Sequence, residues 1–309
     1  LVIAKCKLQI EQGLFREGTA SGQQEKLTEF SHLLPLMRPL ANTHQRIPIL
    51  STSLPPEWQL PEGVPGGVWE YTQAEHIATE YDEYFADNRL FEFDEQVILR
   101  HIRRPGLVVD LGCGTGRAVV ALARRGIRAL AVDLSPHMLS IVAEKARREK
   151  LPIQCVQANF VELGCLRDQS ADYALCLFST LGMIRGKKNR RRVLEHVRRI
   201  LKPGGLFVIH VHNYWFNLFD PLGRRWLVKH FFERLRNREI EPGDKFFPFH
   251  GITQMFLHTF KQSELRSELR AAGFGFREWI PLCVDRQRPL PHPFWFGRFR
   301  ANGWIVVCE

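Results

Sequence analysis

Residues 108–117 read VVDLGCGTGR. Two valines lead into Asp110, and Gly112, Gly114 and Gly116 follow at alternate positions. Glycine reaches positive φ without strain and leaves space for a backbone or ligand to approach, so this spacing predicts a tight binding turn. The next run, RAVVALARRG, carries Val119, Val120, Leu122 and Ala123 at roughly helical spacing, with Gly126 as the helix stop. The stretch therefore reads strand, loop, helix.

The same texture repeats downstream. IRALAVDL (127–134), SPHMLSIVAEKARREK (135–150), LPIQCVQA (151–158), DYALCLFS (172–179), NRRRVLEHVRRILKP (189–203) and GGLFVIHVHNYW (204–215) contain strand-like and helix-like runs in alternation. Such alternation predicts a parallel sheet with helices on both faces. Ser135 before Pro136 is an N-cap with proline at N1, where the missing N–H costs nothing. Val193, Leu194, Val197, Ile200 and Leu201 form one apolar stripe, which Pro203, Gly204 and Gly205 are expected to end.

The 309 residues can bury one large α/β core, with an appended segment. Residues 1–65 are polar or rich in proline and glycine without periodicity, and read as an extended or partly disordered lead-in to a domain over 66–309. No apolar run approaches the ~18 residues of a membrane span, and the opening LVIAKCKLQI is too interrupted for a secretory signal. A cytoplasmic protein that does not engage membranes is expected. Seven cysteines without a CxxC pair argue against a zinc site or a disulfide framework, and no metal is expected.

Taken together, Asp110 with its three glycines, Asp133 ending LAVDL, ADYALCLFSTLG and ILKPGGLFVIHVHNY resemble the class I S-adenosylmethionine-dependent methyltransferases, in that order along the chain. The last elements, KQSELRSELRAAGF and GWIVVCE, resemble the family's final helix and terminal strand. The likeness runs over about residues 70–309. It implies a Rossmann-like, doubly wound, seven-stranded α/β sheet with an antiparallel terminal strand, and S-adenosyl-L-methionine as cofactor. A nicotinamide dehydrogenase is the competing reading of a glycine loop, but GxGxG replaces the GxGxxG it needs.

The resemblance implies a cofactor site made of Tyr81, Asp110, Gly112, Cys113, Gly114, Gly116, Asp133, Leu134, Asn159, Phe160 and Leu177. Asp133 stands 21 residues after Gly112, close to the separation of ~20 at which an acid on the next strand grips ribose hydroxyls. Asn159 holds the place where the family often has an aspartate facing the adenine amino group.

Methyl transfer needs orientation above all, and a base where the acceptor is protonated. His210 and His212 share one strand face, with Tyr214 beyond them toward the carboxyl edge where open α/β sheets bind ligands. His210 is therefore expected to be structural, and His212 and Tyr214 to be the catalytic candidates. The aromatic and basic insertion 213–262 reads as a substrate lid whose rings form its core.

A small or medium acceptor methylated at nitrogen or oxygen is the leading expectation. The +10 net charge and the run RGKKNRRRVLEHVRRILK, with nine bases to one acid, keep tRNA or another RNA as the alternative acceptor. Against that, residues 61–105 hold ten acids and four bases. A non-catalytic cofactor-binding scaffold is the third reading.

Overall fold

The computed structural model describes residues 7–8, 54–84 and 91–309. Most of the 1–65 lead-in lies outside the described residues, but 54–65 does not. Val64 is buried, and the Glu62 and Gly63 carbonyls accept hydrogen bonds from the Asn159 side chain and the Arg185 backbone. The tail of the lead-in is thus packed structure.

Three helices precede the glycine loop: α1 (Gly66–Gln73), α2 (Glu75–Tyr84) and α3 (Glu92–His101). The alternating units follow as β2 (Leu107–Leu111), α4 (Arg117–Ala123), β3 (Arg128–Asp133), α5 (Pro136–Glu149), β4 (Ile153–Gln157), β5 (Ala171–Cys176), α6 (Lys187–Ile200) and β6 (Leu201–His212), the pair Lys7–Leu8 being β1. Beyond them lie α7 (Pro221–Arg236), the hairpin β7 (Asp244–Phe249) and β8 (Ile252–His258), α8 (Gln262–Ala271), β9 (Phe276–Pro281), α9 (Gly297–Arg300) and β10 (Gly303–Cys308).

The main sheet runs β1-β4-β3-β2-β5-β6-β10-β9. Strands β4, β3, β2, β5 and β6 are parallel, while β10 is antiparallel to both β6 and β9. Seven strands form the expected Rossmann-like sheet, and β1 adds two residues antiparallel to β4. All five residues of β2 are buried, as a strand covered on both faces requires. Each buried valine or leucine there contributes about 1.5–3 kcal/mol. Strand order reverses between β2 and β5, and open α/β sheets bind ligands at the carboxyl ends of strands flanking such a reversal.

Local signals act largely as expected. Ser135 Oγ accepts from Met138 N, with Pro136 opening α5. Gly126 has φ of +81° and donates to the Ala123 carbonyl, closing the turn after α4. One boundary differs. Helix α6 ends at Ile200, before the Pro-Gly-Gly turn, because Leu201 already pairs with Ala171. The register shift that follows absorbs Pro203 and Gly204 as an irregularity within β6.

Among the described cysteines, 113, 155, 176, 283 and 308 are free thiols, but Cys165 is disulfide-bonded, so that thiol departs from the expectation. No helix of the described residues is long and apolar enough to cross a membrane.

Candidate functional site

The glycine loop lies at the sheet reversal, and its three glycines do different work. A Cβ on Gly112 would come within 2.4 Å of Thr180, and one on Gly116 within 2.9 Å of Val142. Those two glycines are close packed against protein. A Cβ on Gly114 would meet only the Tyr81 ring, at 3.9 Å, across a cleft. All three have positive φ. Gly112 and Gly114 both line the cleft, and only Gly114 leaves room there for a Cβ.

That cleft of about 600 Å³, including space open to solvent, is lined by Tyr81, Asp110, Gly112, Cys113, Gly114 and Leu177. Asp94, Arg117 and Phe178 line it as well. Asp133 joins the loop through hydrogen bonds: its carboxylate accepts from Gly114 N at 3.0 Å and Ser135 N at 2.9 Å. Burial raises its pKa, and the backbone amides partly offset that rise. Asp110 has no such help. It is buried, its Oδ1 has no hydrogen-bond partner, and desolvation followed by the Asp133 charge pushes its pKa up to about 7. An orphaned acceptor of this kind carries a free-energy cost that a cationic donor would remove.

Other expected residues lie apart from the cleft lining. Leu134 packs against the cluster formed by Val64, Met138, Met255 and Phe256. Phe160 belongs to the core on the other sheet face. Asn159 is buried and committed to structure: Oδ1 accepts from Val161 N at 3.2 Å, and Nδ2 donates to the Glu62 carbonyl at 3.0 Å.

Strand β6 places its histidines in sequence toward the edge. His210 is fully buried, and its Nδ1 donates to Asp94 at 2.7 Å, with Nε2 left without a partner. His212 is partly exposed, and its Nε2 accepts from Arg286 Nη1 at 2.7 Å. Burial first, then the Arg286 charge, hold the His212 pKa well below the usual imidazole value. Its Nε2 lone pair is therefore already engaged. Tyr214 is absent from the cleft lining; its ring packs on Trp215 and Trp226, with the Lys261 ammonium 5.1 Å away.

Phe178 and Ser179 both occupy the left-handed region, at φ of +53° and +67°. Two consecutive non-glycine residues there signal local strain held by surrounding structure. Ser179 N donates to the His210 carbonyl, and its hydroxyl accepts from His212 N. The constraint turns the Phe178 ring edge-on to both histidines, at 6.0 and 6.1 Å. Sequence reasoning missed Asp94, Phe178 and Arg286, which lie on three separate elements and carry no short-range motif.

The insertion is only partly a lid core. Hairpin β7–β8 packs on α1, and Met255 and Phe256 are buried there. Phe231 and Phe232 on α7, however, are each 56% exposed, so those rings are not core. The base-rich α6 is also divided. Lys187, Lys188 and Arg191 face solvent, but Arg190 is wholly buried against Glu241 at 2.6 Å, with Glu264 at 3.5 Å and Glu268 at 3.8 Å. Glu241, Asp244 and His258 could offer three metal-ligand atoms, but Arg190 holds Glu241 and His258 bridges Asp244 and Glu264.

The strand order, the glycine loop and the acid at the end of β3 define a class I S-adenosylmethionine-dependent methyltransferase domain. Residues 108–205 match the family model described as a methyltransferase domain. The chain is 35% identical over 98 residues to the cypemycin N-terminal methyltransferase of Streptomyces sp., covering 32% of this chain and 38% of that protein. It is 25% identical over 152 residues to the glycine/sarcosine N-methyltransferase of Parasynechococcus marenigrum, covering 46% and 54%. Among solved structures, the CcbJ methyltransferase of Streptomyces caelestis superimposes with a TM-score of 0.56 at 19% identity, covering 77% of this chain and 98% of that one; this likeness shows the fold. The chain spans about half the length of the curated relatives it matches.

S-adenosylmethionine is the cofactor of such a domain. The residues present fit it: the orphaned Asp110 oxygen suits its ammonium, Gly114 leaves the loop open, and Asp133 keeps lone pairs for ribose hydroxyls.

Proposed function

We propose that this chain is an enzyme that transfers the methyl group of S-adenosylmethionine to a nitrogen or oxygen of a small or medium-sized acceptor. The observation that carries this reading is the cleft at the sheet reversal, where Asp110 Oδ1 is buried without a donor beside Gly114. The bound cofactor supplies a methyl on a cationic sulfur. The chain's part is to bind and orient. Asp110, Gly114 and Asp133 hold the cofactor, and Tyr81 and Leu177 wall the cleft. Acceptor duty falls to the space beside Phe178 and His212. His212 serves there by presenting Arg286, and Tyr214 by bracing Trp215 and Trp226.

Similarity to the glycine/sarcosine N-methyltransferase of Parasynechococcus marenigrum supports a nitrogen acceptor. RNA remains the second reading, supported by exposed Lys187, Lys188 and Arg191 on α6. Calorimetric titration with S-adenosylmethionine, followed by a labelled-methyl assay against fractionated small molecules and RNA, tests both. Saturable cofactor binding with label in the small-molecule fraction is expected. Label confined to RNA would establish the second reading, and binding without transfer to any fraction would leave the scaffold.

A further inference from the structure

Among the described residues, Arg286 makes no ion pair with a carboxylate. It touches the His212 Nε2 atom and the face of Phe178, 5.2 Å from the guanidinium, and no acid lies within ion-pairing distance of it among the described residues. Exposed arginines often lack a partner, but Arg286 is only partly exposed and its pKa is depressed by burial, against the opposing pull of Asp94. A partly desolvated guanidinium with donors to spare favours a planar anion, which it can bind through two parallel hydrogen bonds.

The turn that carries it is built to aim it inward. Arg286 itself has φ of +59°, and its N–H donates to the Cys283 carbonyl. Asp285 Oδ1 accepts from Gln287 N and from the Cys283 thiol, while Asn302 Nδ2 donates to the Val284 carbonyl. A left-handed arginine fixed by its neighbours is strain retained at one position.

Beside it lies the second unsatisfied group. Nδ1 of His210 is held by Asp94 at 2.7 Å, which leaves Nε2 buried and without a hydrogen-bond partner. The His210 and His212 rings stand 5.9 Å apart, with Phe178 edge-on to both and Arg286 over Phe178. The Arg286 guanidinium and the partnerless His210 Nε2 thus flank Phe178, the ring that forms this wall of the cleft.

We propose that this wall binds the methyl acceptor at two points, so that the acceptor is a small amino acid or related aminocarboxylate whose carboxylate pairs with Arg286 and whose amino N–H donates to His210 Nε2. The inference rests on the methyltransferase reading and narrows its acceptor. Asp94 is the positioning residue: it fixes the tautomer that leaves the Nε2 lone pair available.

The test uses the full chain loaded with S-adenosylhomocysteine. The probes are glycine, phenylalanine and anthranilate, each beside its amide, with acetate and 3-phenylpropionate as carboxylates lacking the amine. Calorimetry is expected to show at least one probe binding about tenfold or more tightly than its amide, the scale of one charge-assisted hydrogen bond. Arg286→Gln should erase that preference, Arg286→Lys should retain part of it, and neither variant should move S-adenosylhomocysteine affinity more than about threefold, since Arg286 contacts His212 and Phe178 and not the glycine loop. His210→Gln should weaken the amino acid more than the matching carboxylate without an amine. Amide and acid binding equally, no probe binding, or a preference that survives in a folded Arg286→Gln would overturn the inference. Failure of S-adenosylhomocysteine to bind the unmodified protein would instead overturn the methyltransferase reading itself.

Discussion

Nδ1 of His210 lies 2.7 Å from a carboxylate oxygen of Asp94, 116 residues earlier in the chain, and both side chains are buried. Helix α3 is thereby tied to strand β6 at Asp94, which also lines the cleft. Removal of either partner strands the other. Asp94→Ala and His210→Ala are each expected to cost about 1–3 kcal/mol in urea unfolding, the penalty for a buried polar group without its partner. The double variant should cost less than the sum by about 0.5–3 kcal/mol, the coupling typical of contacting residues. Strict additivity would show that the pair contributes nothing as a pair.

Asp133 accepts from Gly114 N and Ser135 N, so it shapes the loop in addition to its proposed role in holding the cofactor. Asp133→Ala is expected to weaken cofactor binding by about 2 kcal/mol, the range for hydrogen bonds to charged groups. Calorimetry on a variant with an unchanged far-ultraviolet spectrum decides it; unchanged affinity would remove Asp133 from the site.

Asp110 makes stability fall as pH rises. Its folded pKa of about 7 lies above the unfolded value, so the folded state holds the extra proton between those two values. Across that window the cofactor-free protein should lose up to about 1.4 kcal/mol per pH unit from this group. Asp110→Asn should flatten the slope. Cofactor affinity in the unmodified protein should rise toward pH 7 with proton release on binding, detectable as a dependence of binding heat on the buffer. No proton release near pH 6 would refute this account.

Arg190 is wholly buried beside Glu241, Glu264 and Glu268, and Arg190→Met should destabilise the fold by about 3–5 kcal/mol because it leaves acids without their cation. Replacing exposed Lys187, Lys188 and Arg191 together should stay within about 0.5 kcal/mol per site. Burial lowers the pKa of neighbouring His258, but its hydrogen bonds to Asp244 and Glu264 outweigh this and raise it. Its stabilising charge is therefore present below the ordinary histidine pKa and lost as pH rises through the raised value. Thermal melts of these three proteins across pH 6–9 check these statements.

Local chemistry accounts for what could be read early. Val108, Val109 and Asp110 followed by spaced glycines specify strand and turn through steric rules that act within a few residues. Ser135 with Pro136 starts α5 for the same local reason. Alternating strands and helices restrict the sheet to few topologies, because parallel strands must be joined by crossovers of one hand.

Tertiary structure alone decided the acceptor wall. Asp94, Phe178, His210 and Arg286 meet through packing of α3, the loop after β5, strand β6 and the turn before β10, and no spacing along the chain encodes that meeting. It also decided which charge is structural: Lys188 and Arg190 are similar as letters, but α6 turns one to water and the other into the acids below. Helical periodicity set the two faces, and only the arrival of Glu241, Glu264 and Glu268 beneath one of them made a buried arginine stable there, since a charge leaves water only where partners compensate its desolvation.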